Sequence, residues 1–259
     1  MIRRPRAVTF DFHDTIAIAP AWFALEVRQL PAMVLQTLVE RRLIDHDGAR
    51  AERATEEYRT LRRAIQGHGR EMDALAGVQH ALKAVGVALP DAPVADVIDA
   101  LMADARADAS PRPGIVEAVT ALAAAGVPMA VISNAVYHPY LEWCLDDWGL
   151  TPHFTAVISS ASCGYYKSHS GIYHTAMHAL ASEPAEIVHI GDSYRFDVEA
   201  AHALGMGTIW LNLSAEERAE NVAGVTITDL TGLASTLLHK VEVNGSFRAH
   251  KDTLHGQTT

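Results

Sequence analysis

Cysteine is nearly absent from this chain, whose 259 residues include two, Cys144 and Cys163. Two cysteines cannot build a disulfide framework, and neither has a second cysteine at metal-ligand spacing, so a reducing cytoplasm is the expected setting. Positive charge is also scarce. Lys and Arg number 21 against 31 Asp and Glu, a formal net charge of −10, which argues against a nucleic-acid backbone as partner. Long apolar runs are missing too: the most apolar region, Val116 to Ile132, is broken by Gly126 and Pro128 into helix, turn and strand. The basic start, Met1 to Arg6, leads into no apolar segment of signal-peptide length before Asp11. A soluble protein with no membrane partner is expected. The 14 histidines are scattered. His174 and His178 share a helical face, but no third ligand stands near them, so they read as surface or packing residues.

What is present is a globular composition, 49% hydrophobic and 20% charged, in a chain long enough for one large domain or a core with an insert. A strand-forming apolar run, Ala7 to Phe10, delivers a carboxylate at Asp11. Helical spacing follows over Ala21–Ile44, with a kink expected at Pro31, then over Ala49–Ile65, Met72–Val85 and Pro93–Ala107. No convincing strand stands between about 17 and 108, so residues 17–109 are expected to form an all-helical cap. The stretch 109–114, with two prolines and a glycine, reads as a hinge.

Beyond the hinge, helix and strand alternate. Helices over Ile115–Ala125, Tyr137–Trp148, Gly171–Ala181 and Val198–Leu204 each lead to a strand, over Pro128–Ser133, Ala156–Ser159, Ile187–Ile190 and Thr208–Leu211. Repeated βα units of this length argue for a Rossmann-like α/β core with a parallel sheet covered on both faces, built from residues 1–16 and 110–243. A last helix fits Leu230–His239, and the polar tail 244–259 is expected to be disordered.

Several of these elements end in a reactive group. Asp11 ends the first strand, Ser133 the second, and Asp192 the strand before Asp197; Lys167 follows the polar loop Ser159–Tyr166. Neighbouring parallel strands would bring these groups to one sheet edge, where open α/β sheets place their ligands. A phosphoryl group needs a carboxylate to attack it, donors for its oxygens and a cation held by oxygen ligands. Three Asp side chains buried together would repel strongly, which calls for a bound cation.

In this order the motifs resemble those of the haloacid dehalogenase superfamily, whose members are mostly Mg²⁺-dependent phosphatases. The first motif, usually Asp-x-Asp-Gly-Thr, stands here as Asp11-Phe12-His13-Asp14-Thr15. Ser133 matches the second and Lys167 the third, although Ser168 follows it where Pro is usual. Gly191, Asp192 and Asp197 match the fourth. A helical insert directly after the first motif resembles the family's C1-type cap. The resemblance implies that Asp11 is the nucleophile. It implies that Mg²⁺ is held by Asp11, the His13 backbone carbonyl and Asp192, with Asp197 as a ligand or behind them. Ser133 and Asn134 would bind the phosphoryl oxygens, and Lys167 would neutralise nucleophile and transferring group.

His13 departs from the pattern, standing where the phosphatases place an acid/base Asp. An imidazole transfers protons near neutral pH, so acid/base work by His13 is compatible with its chemistry. The leading expectation is a Mg²⁺-dependent hydrolase of a small phosphorylated metabolite. Its rivals are a metal-independent haloacid-dehalogenase-type hydrolase and a non-catalytic phosphate-binding protein. A receiver-type signalling domain would be about half this length. The arginines Arg28, Arg59, Arg62 and Arg63 could meet an anionic leaving group, but are expected to form a solvated helix face.

Overall fold

The computed structural model describes residues 4–238. Six parallel strands form the central sheet: β1 (Ala7–Phe10), β4 (Met129–Ser133), β5 (Ala156–Ser159), β6 (Ile187–Gly191), β7 (Gly207–Leu211) and β8 (Val225–Ile227). Their spatial order is β5-β4-β1-β6-β7-β8, which puts β1 at the centre between β4 and β6. A two-residue antiparallel pair lies apart from this sheet, β2 (Ala17–Ile18) with β3 (Ser110–Pro111). The helices are α1 (Pro20–Ala24), α2 (Leu30–Glu40), α3 (Gly48–His68), α4 (Ala74–Ala84), α5 (Asp91–Ala105), α6 (Ile115–Ala124), α7 (His138–Asp147), α8 (Ser160–Cys163), α9 (Gly171–Ala179), α10 (Ala200–Ala203) and α11 (Leu233–Leu238).

The sheet is buried on both faces because its strands alternate between two apolar clusters. Val8, Phe10, Met129 and Val131 face a core filled by α6, α7 and α11. Ala7, Ala130, Ile132 and Ile187 face a second core with Ile172, Tyr173 and Ala176 of α9 and Ala201 of α10. Parallel strands need crossover helices on their faces, and period-two burial on both sides is the consequence.

Several expectations need correction. Residues 17–108 do contain a strand, β2, whose long-range pairing partner is the stretch read as a hinge. Two residues are too few to display alternation. The helix expected over Ala21–Ile44 is split by a π-helical turn, Leu25–Gln29, directly before α2. Pro31 lacks an N–H and crowds the carbonyl four residues back, so the chain widens there. The expected helix Val198–Leu204 likewise starts as a π-helical turn, Tyr194–Glu199, before α10. The polar loop before Lys167 contains α8, and β8 was not anticipated. The last helix begins at Leu233; His239 and the tail lie outside the described residues. No helix among the described residues is long and apolar enough to cross a membrane.

Between β2 and β3 the chain is helical. α2 packs on α3, α4 and α5, burying Val34, Leu38, Ala54, Tyr58, Val78, Leu82 and Val97. Asp47 caps α3 by accepting from the Ala49 N–H (3.1 Å), and Gly69, at φ 72°, ends it. The helical layer is then stitched to the sheet's carboxyl edge by backbone hydrogen bonds. Tyr166 N donates to Gly69 O (3.0 Å), Glu71 N to Gly164 O (3.0 Å) and Ala74 N to Val136 O (2.8 Å). Gly69 is required here: a Cβ would lie 2.5 Å from His169 Cβ.

Side chains seal the same seam. Arg62 is not on a solvated face, as expected from its sequence, but forms a two-toothed pair with buried Glu71, whose Oε2 also accepts from Ser160 Oγ (2.8 Å). Arg59 and Arg63 do lie outward, paired with Glu56. Glu26, in the π-helical turn, is 5% exposed and accepts the Val136 N–H at Oε1 (3.0 Å). Its Oε2 has no hydrogen-bond partner among the described residues, and Arg62, whose charge acts on it, is committed to Glu71. Burial therefore pushes the Glu26 carboxyl up to about 8, with Arg62 opposing.

The consequence for stability has a definite sign. The folded carboxyl keeps its proton to about pH 8, while the unfolded one loses it near 4.5. The fold is thus favoured most below the unfolded value and loses stability as pH rises from there through 8. Glu26→Gln keeps the acceptor and removes the charge. Its melting temperature should exceed the wild type's at pH 9 by several degrees and approach it at pH 5. A gap independent of pH would show that the buried charge carries no cost.

Candidate active site

The site lies at the carboxyl edge of β1, β4 and β6, the three central strands. Asp11 is the first residue past β1, and its N–H donates to Ile190 O of β6 (2.8 Å). Asp192 is the first residue past β6, its carbonyl held by Trp210 Nε1 (2.9 Å). Asp197 reaches the same point by a local device. Ser193 accepts the Asp197 N–H at its carbonyl (2.8 Å), and the wide π-helical turn swings the Asp197 side chain back toward the strand end. A Cβ at Gly191 would collide with that carboxylate, which explains the glycine at this position. Oxygens of Asp11, Asp192 and Asp197 all lie within 4.8 Å of one another.

Lys167 enters from the loop after α8. Its backbone N–H donates to Asn134 Oδ1 (2.7 Å), which ties the loop to the end of β4. Its ammonium contacts Asp11 Oδ1 and lies 2.6 Å from Asp197 Oδ1. Asp197 is the most fully satisfied carboxylate: Oδ1 also takes His189 Nε2 (3.1 Å), and Oδ2 takes the Ser193 N–H (2.9 Å). Ser133, 2% exposed, ends β4, the strand paired with β1.

These contacts sort the charges. Burial opposes the Asp197 anion, but Lys167 and His189 outweigh it and hold the carboxyl at about 2. Burial would discharge Lys167, yet Asp11 and Asp197 keep it well above the usual lysine range. Burial pushes Asp11 up to about 7, against the pull of Lys167. Asp192 rises to about 8, through burial and then through Asp11 and Asp197. Among the described residues no side-chain cation pairs with Asp192. One ammonium faces three carboxylates, so the oxygen-only cluster fits a hard divalent cation such as Mg²⁺ rather than zinc.

His13 turns toward the helical layer. Its ring stacks on Phe23 of α1 (4.3 Å between centroids, 17°), and Nδ1 lies 3.4 Å from Asp14 Oδ2. Burial lowers its pKa; Asp14 opposes that shift and Arg112 adds to it. Asp14 has φ 58°, the left-handed region, where the related motif has glycine. A short Asp tolerates that backbone, and here its Oδ1 accepts from Arg112 Nη2 of the segment after β3 (3.0 Å).

Sequence reasoning missed His189, Thr9 and the side-chain role of Asn134. His189 was visible as a lone polar residue inside an apolar strand. His174 and His178 are exposed, as expected.

The chain belongs to the haloacid dehalogenase-like hydrolases, whose family pattern it matches over residues 5–205. Curated relatives include haloacid dehalogenase-like hydrolase domain-containing protein 3 of Bos taurus, 42% identical over 81 residues, 31% of this chain and 32% of that one. The human protein of the same name is 36% identical over 81 residues, again 31% and 32% of the two chains. The match thus spans about a third of the length of these relatives. Among solved structures, a 2-haloacid dehalogenase from Pseudomonas syringae superposes with a TM-score of 0.69 at 20% identity, covering 92% of this chain and 98% of the other. A HAD phosphatase from Thermococcus onnurineus gives 0.61 at 23% identity, covering 89% and 97%. At such identities the likeness is one of fold.

The ion pairing makes a prediction of its own. Lys167→Met leaves Asp197 and Asp11 without their cation, which should cost about 3–5 kcal/mol at pH 7.5. At pH 5, where Asp11 and Asp192 (about 7 and 8) are protonated, the loss should be smaller. Urea unfolding at the two pH values measures both. An equal loss at both would mean that the repulsion is not what Lys167 relieves.

Proposed function

We propose that this protein is a Mg²⁺-dependent phosphatase of the cytoplasm, which hydrolyses a small phosphorylated metabolite through an aspartyl-phosphate on Asp11. One observation carries the reading. Asp192 stands half-buried, within reach of Asp11 and Asp197, with no cationic side chain of its own among the described residues. Displacement of a halide by a carboxylate needs no metal, so such a carboxylate has no task there and would only raise repulsion. In a phosphatase it holds the cation.

Asp11, Asp192 and the His13 backbone carbonyl would hold Mg²⁺. Asp197 belongs behind them, because Lys167, His189 and the Ser193 N–H already occupy its oxygens. Bound there, the ion supplies neutralisation of the phosphoryl oxygens and of the facing carboxylates.

The residues of the chain do the rest. An Asp11 oxygen attacks phosphorus and the P–O bond to the leaving group breaks. Lys167, the Ser133 hydroxyl and the Asn134 backbone N–H donate to the phosphoryl oxygens as charge shifts onto them. His13 gives its proton to the leaving oxygen, a form that the Asp14 carboxylate favours. The neutral ring, which burial favours, then takes a proton from the water that attacks the aspartyl-phosphate, and phosphate departs from Asp11. The helical layer closes the site and selects the leaving group. No nucleic acid or membrane is a partner in this reading.

Two outcomes check it. Millimolar Mg²⁺ should raise the melting temperature and switch on phosphate release, EDTA should reverse both, and Asp192→Ala should lose the thermal response. Halide release from 2-haloacids in EDTA, with no phosphate release in Mg²⁺, would replace the phosphatase reading. His13→Ala should cost roughly 10²–10⁴ in rate on alkyl phosphates and much less on an activated aryl phosphate, whose leaving group needs no proton. Equal losses on both would make His13 a packing residue.

A further inference from the structure

His189 stands in the middle of β6, a strand buried along its whole length, in register with Thr9 of β1. An imidazole there is costly unless both nitrogens find partners. Both do. Nδ1 lies 2.9 Å from Thr9 Oγ1 and Nε2 lies 3.1 Å from Asp197 Oδ1. An ionised carboxylate only accepts, so Nε2 carries a proton, and in the neutral ring the bare Nδ1 then accepts the Thr9 hydroxyl. Tyr173 packs edge-on against the ring, 5.4 Å between centroids at 85°. Its hydroxyl donates to the carbonyl of Phe196, the residue before Asp197. The ring is held from three directions, and its N–H has one place to point.

That place decides where Lys167 goes. Asp197 Oδ1 receives His189 Nε2 and Lys167 Nζ together, while Oδ2 is held by the Ser193 N–H. Lys167 contacts Asp11 at its other side. A continuous chain, Thr9 to His189 to Asp197 to Lys167 to Asp11, runs from the sheet interior to the nucleophile. We propose that His189 is a positioning residue: its Nε2–H, with the tautomer set by the Thr9 hydroxyl, aims the Asp197 carboxylate at Lys167 and so sets the ammonium against Asp11. The inference rests on the reading of Asp11 as the nucleophile in phosphoryl transfer. It extends the site two residues into the strands, to side chains that no substrate touches.

A histidine that merely fills space would be replaceable by any residue of similar volume. A positioning histidine is replaceable only by one that keeps an N–H at the Nε2 point, and His189→Gln does so where His189→Leu does not. In the wild type, ¹⁵N spectra of the imidazole should report the Nε2–H tautomer. Lys167 should give a slowly exchanging ammonium signal that survives in His189→Gln and disappears in His189→Leu. With an aryl phosphate and Mg²⁺, His189→Leu should lose roughly tenfold to hundredfold in kcat at unchanged KM, and His189→Gln should recover most of it.

An Nδ1–H tautomer in the wild type overturns the proposal, whether or not the leucine variant folds. So does a Lys167 signal that is the same in both variants, or an equal fall of kcat in both. If the wild type releases no phosphate from any ester, the phosphatase reading fails by itself. The tautomer and the Lys167 signal still decide whether His189 positions the ion pair.

Discussion

A single buried ammonium holds the carboxyl edge of this sheet together. Lys167 Nζ touches Asp11 and Asp197 at once, in a space where three carboxylates have oxygens within 4.8 Å of one another. Remove that charge and the strand ends repel. Much of the local structure serves to keep it in place. Asn134 holds the lysine's backbone, the glycine at 191 leaves room for the Asp197 carboxylate, and the π-helical turn after Ser193 brings that carboxylate round. One cation cannot keep three neighbouring carboxyl groups ionised, which is why Asp11 and Asp192 hold their protons to about 7 and 8, and an oxygen-bound divalent ion would supply the missing positive charge.

The same loops that build the site also carry the helical layer. Val136, three residues after Ser133, meets Glu26 and Ala74; Ser160 meets Glu71; and Tyr166 meets Gly69 next to the lysine itself. Lys167 is therefore fixed from the sheet side by Asn134 and from the helical side through its neighbour. Any movement of the layer pulls on the segment that carries the site's cation. The Glu26 oxygen that finds no hydrogen bond among the described residues lies in this seam, so the contact that joins the two parts also bears an uncompensated cost.

What could be read in the sequence follows a physical rule. Asp11, Ser133 and Asp192 were legible because each ends an apolar run, and parallel strands bring such ends to one edge. The helical insert was legible from its spacing. β2 and β3 were not, since two residues show no period and pair across about ninety residues of chain. Arg62 looked like any charge on a polar helix face until Glu71, on a separate segment, was placed against it. His189 needed no distant information: a polar ring in the middle of an apolar strand already demands two partners. Pairings far apart in sequence are decided by tertiary packing, which local spacing does not encode.

In the proposed reaction Asp11 attacks phosphorus, and water later attacks the same phosphorus, not the carboxyl carbon. A turnover of an aryl phosphate in ¹⁸O-water, followed by mass measurement of the Asp11 peptide and of the phosphate, tests it directly. One heavy oxygen is expected in the released phosphate and none in Asp11. Heavy oxygen accumulating in the Asp11 side chain would contradict it, because that outcome requires water to cleave a carboxylate ester at carbon.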